Sequence, residues 1–291
     1  MTTAAVLAVG LVPAACVPLP PDRRGRFKPA ALGVLSGASL LAGGLLAVWA
    51  PLAVVGIFVL AVLASRAAVG HPLGAIALSL CLPLVGIGFS FADIGTALGL
   101  ALVMVLGSAY GLLVSMLWPG RERSGLVKEF VPPPRAMMVR FGYLAGAAGA
   151  VCAAFGFALD LEHVGWATGA ALLVMRPAPR LQQSRSLDRV IDVVVGAAVA
   201  IALITLDAPP WAFALAVVLA VVCVTATAGS RWYVMPAFTT FLVFLMLVSD
   251  DPGDARMRFW ERVLETGIGV AVAAFFGLLV PALLTRRKEQ R

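Results

Sequence analysis

Water-binding side chains are scarce in this chain. Asp, Glu, Lys and Arg make up 13% of its 291 residues, against a hydrophobic share of 61%. A soluble domain of this length needs far more polar surface to cover its core. Histidine is limited to His71 and His163. The four cysteines, Cys16, Cys81, Cys152 and Cys223, lie far apart, each inside an apolar run. No Cys-x-x-Cys pair and no His/Cys cluster results, so the sequence offers no metal site, and the thiols read as buried and inert. A Walker-type phosphate loop is missing, which argues against ATP as an energy source. No Ser/His/Asp or Cys/His arrangement stands out, and no cofactor is expected. The net charge of +7 is not gathered on a basic helix interleaved with aromatics, so nucleic acid is not an expected partner.

What the chain has instead is apolar length. A helix needs about 20 apolar residues to cross a bilayer, and eleven apolar stretches can be marked, at 2–17, 30–48, 51–65, 74–90, 93–118, 136–159, 163–178, 187–205, 210–228, 232–249 and 263–284. Mean hydropathy is +0.99. The expectation is an all-α, polytopic bundle of about eleven transmembrane helices, with membrane lipids as its surroundings. Ala14-Ala15-Cys16 faintly imitates a lipoprotein cleavage site. No Lys or Arg precedes it and Pro13 replaces a large aliphatic residue, so 2–17 reads as a first membrane helix.

The loops alternate in charge. Segment 18–29 carries Arg23, Arg24, Arg26 and Lys28; the turn 66–73 carries Arg66 and His71; 119–135 carries Arg121, Arg123, Lys128 and Arg135; 176–189 carries Arg176, Arg180, Arg185 and Arg189; 229–231 carries Arg231. The intervening loops, Val48 to Pro51, Ser90 to Asp93, Asp160 to His163 and Leu206 to Pro210, contain no Lys or Arg. Only 250–262 mixes signs. Basic loops stay cytoplasmic, so the N-terminus is expected outside and the C-terminus inside, as an odd helix count also requires.

The basic, Pro-rich linker 119–135 divides two related halves, 1–118 with five spans and 136–285 with six, followed by a basic cytoplasmic tail, 286–291. Thr96-Ala97-Leu98-Gly99 in the first half matches Thr266-Gly267-Ile268-Gly269 in the second, 170 residues on. A shared local pattern sets an acid three residues after an Arg and a Gly four residues after the acid. It occurs as Arg189, Asp192 and Gly196, and as Arg262, Glu265 and Gly269. Spacing of three puts Arg and acid on one helix face, and the Gly lets another helix approach. A relaxed copy in the first half has Ala92 in place of the Arg.

The order of features over about 163–285 resembles the FUSC (fusaric acid resistance) family of membrane transporters. Trp166 and Thr168 open a short helix, Met175-Arg176-Pro177 forms a Pro-bearing basic turn, and Arg189 and Gly196 follow. Then come Arg231-Trp232-Tyr233, Thr239-Thr240, and Arg262, Glu265, Thr266 and Gly269. Asp192 and Val193 depart from the family's usual Gly and Thr. The resemblance implies export of organic, chiefly aromatic carboxylic, anions across the bacterial inner (plasma) membrane; the proton gradient is the expected driving force, with Asp192 and Glu265 as the candidate proton carriers. A homo-oligomer or an efflux partner protein stays open.

Each of these residues admits two readings. Asp192 and Glu265 with Arg189 and Arg262 are either structural pairs near the interface or proton-coupling and gating groups. Arg176, Arg189 and Arg231 either anchor the cytoplasmic side or grip a substrate carboxylate. Trp166, Trp211, Trp232, Trp260 and Tyr233 form an interfacial belt or stack on substrate. Thr239 and Thr240 bond between helices or face the substrate path. Thr168 and Thr266 are further candidates for that path. His163, beside Glu162, reads as interfacial.

Two rival functions share the chain: a passive organic-anion channel on the same scaffold, and a membrane enzyme acting on a lipid diphosphate through Asp250, Asp251 and Asp254. The latter rests on a single Asp-Asp-x-x-Asp pattern that reads better as a solvated acidic turn. The orientation is testable. Green fluorescent protein fused after Arg291 is expected to fluoresce and alkaline phosphatase at the same point to be inactive; the opposite pattern overturns it.

Overall fold

Apolar runs that leave water must satisfy their backbone groups internally, and a helix does so within one segment. A computed structural model of the chain describes residues 2–120, 133–206, 208–228, 234–248 and 252–283. Arg121, Arg123 and Lys128 of the linker, Arg231, Trp232 and Tyr233, Asp250 and Asp251, and the tail 286–291 lie outside the described residues.

The described residues form eleven helices and no strand. They are α1 (Thr2–Ala15), α2 (Phe27–Ala47), α3 (Ala50–Gly70), α4 (Pro72–Gly88), α5 (Ile94–Met116) and α6 (Arg135–Ala158). After these come α7 (Val164–Val174), α8 (Pro179–Thr205), α9 (Pro210–Thr227), α10 (Met235–Val248) and α11 (Ala255–Leu283). Six of them, α2, α3, α5, α6, α9 and α11, are long and apolar enough to cross a membrane. The chain is a multi-pass, all-helical membrane protein.

Several bounds differ from those expected. The stretch 163–178 yields only the eleven residues of α7. At 1.5 Å per residue that is about 16 Å, half of a ~30 Å hydrocarbon core. Met175 has left helical geometry (φ −56°, ψ 127°), and Pro177 disfavours it for Arg176. Helix α8 starts at Pro179 rather than 187, with the proline at the first helical position, where its missing N–H costs nothing. Arg66 lies inside α3, so the turn begins at His71, whose Nδ1 accepts a hydrogen bond from the Leu73 N–H at 3.1 Å.

Two helices widen into π turns, α4 at Ala77–Cys81 and α11 at Phe275–Leu279. Each ends two residues before a proline, Pro83 and Pro281. A proline lacks the N–H of the next rung and its ring crowds the carbonyl a turn back, which explains the local widening. Of the four cysteines, all free, Cys152 is fully buried; Cys16, Cys81 and Cys223 are half-buried, which corrects the uniform burial expected of them.

The chain divides into two compact units. The first comprises Met1–Ala38, Leu98–Val127 and Asp188–Val263; the second comprises Ser39–Ala97, Lys128–Leu187 and Leu264–Arg291. In the first, Gly10 and Gly107 bring α1 and α5 into backbone contact; a Cβ on Gly107 would sit 2.3 Å from the Gly10 carbonyl carbon. Gly37 does the same for α2 against Ala101 of α5. Arg26, read as a loop charge, is 2% exposed. Its guanidinium donates to the Pro20, Ser115, Trp118 and Pro119 carbonyls. The Ser115 carbonyl is in the last turn of α5 and the Trp118 and Pro119 carbonyls lie just beyond it, where a cation also meets the negative end of the helix dipole.

In the second unit, α3 packs along α6 on a row of glycines. Gly142 faces Ser65 and Val62, Gly146 faces Phe58, and Gly149 faces Ile57. Where lipid is as apolar as the side chains, such close approach gains dispersion energy that lipid cannot match. Around this contact Ile57, Phe141, Cys152, Leu172 and Met175 form a buried core.

Arg26→Ala is expected to destabilise the detergent-solubilised protein by about 2 kcal/mol or more, because several charge-assisted bonds are lost together. Arg24→Ala, at an exposed position, should shift the melting temperature little. Equal shifts would remove the structural role assigned to Arg26.

Candidate functional site

The half-length helix α7 organises the second unit. Ten of its eleven residues are buried, although a surface helix would leave one face exposed. Small residues make this possible. Added Cβ atoms on Gly165 and Gly269 would lie 2.3 Å from the Gly86 carbonyl oxygen and 2.4 Å from the Ala167 carbonyl oxygen. Thus α4 and α11 both run against the backbone of α7. The Gly165 N–H, one of the donors that a helix start leaves unpaired, donates to Ser90 Oγ at 3.0 Å.

Trp166 and Thr168 therefore occupy the interior. Trp166 is 2% exposed and stacks on the buried His163 ring at 3.9 Å, which corrects both the belt reading of Trp166 and the interfacial reading of His163. Trp211 and Trp260 are exposed, as a lipid-facing belt requires. The Thr168 hydroxyl is buried without a hydrogen-bond partner among the described residues, and so is that of Thr266 on α11.

Helix α7 ends at Met175-Arg176-Pro177. The Arg176 side chain donates to the Met175 carbonyl at 2.5 Å. Burial, and then the nearby Arg185 cation, push its guanidinium down to about 10, so it still carries its charge at neutral pH. Behind it lies Gln182, fully buried on α8. Its Nε2 donates to the Ala273 carbonyl at 2.6 Å, and its Oε1 accepts a long bond from the Arg176 N–H at 3.5 Å. Gly277 leaves the room for this amide; a Cβ there would fall 2.1 Å from both of its polar atoms. One side chain thus ties the Arg176 loop to α11 where its π turn begins.

The other expected residues fall in the first unit. Asp192 on α8 is buried, and its Oδ2 has no hydrogen-bond partner among the described residues. Arg189 lies one turn earlier. Gly196, one turn later, lies against α10, where a Cβ would sit 2.3 Å from the Ala237 carbonyl oxygen and 3.1 Å from Thr240 Cβ. Thr240 is buried; Thr239 Oγ1 donates to the Pro236 carbonyl at 3.0 Å within its own helix. Arg262 is buried in this unit, while Glu265 and Thr266, buried on the same helix, belong to the second. Asp254 sits in a single 3₁₀ turn, Pro252–Asp254.

The relaxed first-half copy has different chemistry. Asp93 precedes α5, and its Oδ2 accepts from the Thr96 N–H and Oγ1, both at 2.7 Å. The Thr96 backbone and hydroxyl bonds hold this carboxyl below the usual carboxylate range. It is an N-cap. Gly99, the counterpart of Gly269, faces open space.

Sequence reasoning passed over Gln182, Arg140 and the α6 glycine row. The row had a readable signal, Gly142 and Gly146 at the spacing that brings membrane helices together. Nothing local marks Gln182, since its partner carbonyl lies 91 residues away.

Residues 150–276 match the family described as fusaric acid resistance protein-like, FUSC. No curated protein and no solved structure matches the chain. The likeness is of that stretch, less than half of the chain, to that family.

The two neighbouring glycines of α11 separate packing from propensity. Gly269→Ala forces a methyl onto α7 and should cost roughly 1–3 kcal/mol. Gly267→Ala points into open space and should gain up to about 1 kcal/mol of helix stability. Melting curves of the two variants moving the same way would show that α11 does not pack on α7 through Gly269.

Proposed function

We propose that this FUSC-family membrane protein exports organic anions, chiefly aromatic carboxylates, across the bacterial inner membrane and is driven by the proton gradient. The observation that carries the reading is the burial of two carboxylic acids, Asp192 and Glu265, in helices otherwise built largely from apolar residues. An ionisable group at the membrane centre costs roughly 2.5–3.5 kcal/mol on insertion scales, and such groups mark ion and proton pathways. The open Oδ2 of Asp192 suits a group that takes up and releases a proton. Arg189 and Arg262, each three residues before its acid, are the partners whose charge favours the ionised form. Protonation weakens that attraction and frees the helix to move.

The proposed substrate-path residues are Trp166, Thr168, Arg176 and Thr266 in the second unit and, separately, Thr239 and Thr240 in the first. Burial of the half-length α7 supports this, since transporter sites are commonly built at helices that stop part-way across the membrane. With the loop-charge orientation, the Arg176 end of α7 faces the cytoplasm, the side from which an exporter loads.

Purified protein in liposomes tests the reading. Under an imposed pH gradient, accumulation of aromatic carboxylates is expected. Glu265→Gln and Asp192→Asn should lower gradient-driven accumulation by about ten-fold or more, the scale of one lost charge interaction, and leave any downhill flux in place. Downhill flux alone in the unaltered protein would convert the assignment to a passive channel, and full coupling in both variants would remove these acids from the mechanism.

A further inference from the structure

The second unit holds a cavity of about 370 Å³ between the start of α6, the loop after α7 and the end of α11. Its size falls at the small end of ligand pockets, about 300–1,000 Å³. Arg140 and Arg176 line it together with Met137, Phe141, Leu144 and Met175. Met137, Arg140, Phe141 and Leu144 follow the i, i+3, i+4, i+7 spacing, so one face of α6 presents a cation set in an apolar stripe. Among the described residues no Asp or Glu lines the cavity.

We propose that Arg140 and Arg176 bind the carboxylate of a small organic acid whose flat apolar body lies against Met137, Phe141 and Leu144. This rests on the transporter reading and adds to it a place and the two cations that hold the carboxylate. The charge balance favours an anion: two cations enter the lining and no acid among the described residues offsets them. The hydrogen-bond inventory agrees. A guanidinium has about five N–H donors, and the Arg176 side chain has the Met175 carbonyl as its protein partner. Arg140, on the exposed side of α6, has no protein hydrogen bond or ion pair among the described residues. Carboxylate oxygens match the fork geometry of such donors. The remaining lining selects against a second charge, because a carboxylate placed on the Met, Phe and Leu side chains loses water and gains no donor. Phe141 offers a ring face or edge to an aromatic body, and the two methionines adapt to its outline.

The test is equilibrium dialysis of radiolabelled benzoate against the purified full-length protein in a neutral detergent. Saturable binding is expected, with benzamide and terephthalate each competing about ten-fold or more weakly than unlabelled benzoate. Arg140→Gln and Arg176→Gln should each weaken binding by about ten-fold, the scale of one charge-assisted bond. Arg140 is exposed, so its variant carries the test even if Arg176→Gln fails to fold. Unchanged affinity in Arg140→Gln, equal competition by benzamide, or displacement of benzoate by low phosphatidylglycerol with no benzoate-specific component would overturn the site. The two readings separate cleanly. Benzoate binding lost in the variants, in a protein that moves no anion in liposomes, keeps the site and removes the transporter. Flux of aromatic acids with unaltered benzoate affinity in the variants does the reverse.

Discussion

Inside a bilayer no water is available to a backbone polar group, and the whole arrangement answers to that constraint. Helix interiors satisfy themselves; helix ends, breaks and buried side chains do not. The protein resolves three of these points with a named group. Arg26 closes the end of α5 by donating to the Ser115 carbonyl in its last turn and to the Trp118 and Pro119 carbonyls just after it. Ser90 accepts from the start of α7. Gln182 bonds the Ala273 carbonyl just ahead of the π turn in α11. At these three places a side chain stands in for solvent.

The same constraint explains the use of glycine. A short helix such as α7 can be buried only if its neighbours come within backbone distance, leaving no lipid or void between them. Gly165 and Gly269 achieve this on two sides. The row Gly142, Gly146 and Gly149 performs the same task for α3 and α6. Gly99 and Gly267 face open space and have no such role, so glycine content alone does not report packing. Position relative to the facing helix does.

Function follows from where the exceptions lie. Helix α7 stops half-way and delivers Arg176 to a cavity, while Asp192 lies buried in the first unit and Glu265 in the second. The proposed anion site next to a helix break and the proposed proton-carrying role of the two acids are the components that a proton-driven anion exporter requires. The residues singled out from the sequence accordingly form two groups. Arg189, Asp192, Thr239, Thr240 and Arg262 lie in the first unit; Trp166, Thr168, Arg176, Glu265 and Thr266 lie in the second.

Hydropathy alone determined the class of the protein, the number of helices and most of their positions, because transfer of about 20 apolar residues into lipid outweighs any local preference. The Arg–acid–Gly spacing also marked Asp192, Glu265, Gly196 and Gly269, since helical periodicity is a local property. Hydropathy could not tell a span from a buried half-helix at 163–178, for both are equally apolar, and proline at 177 and 179 was the overlooked sign. Nor could charge pattern distinguish the buried Arg26 from the exposed Arg24 close by. Tertiary structure decided those cases, together with the pairing of Gln182 with Ala273 and the placement of Arg140 and Arg176 on one cavity. Each depends on a partner tens of residues away, and only the folded chain brings the two together.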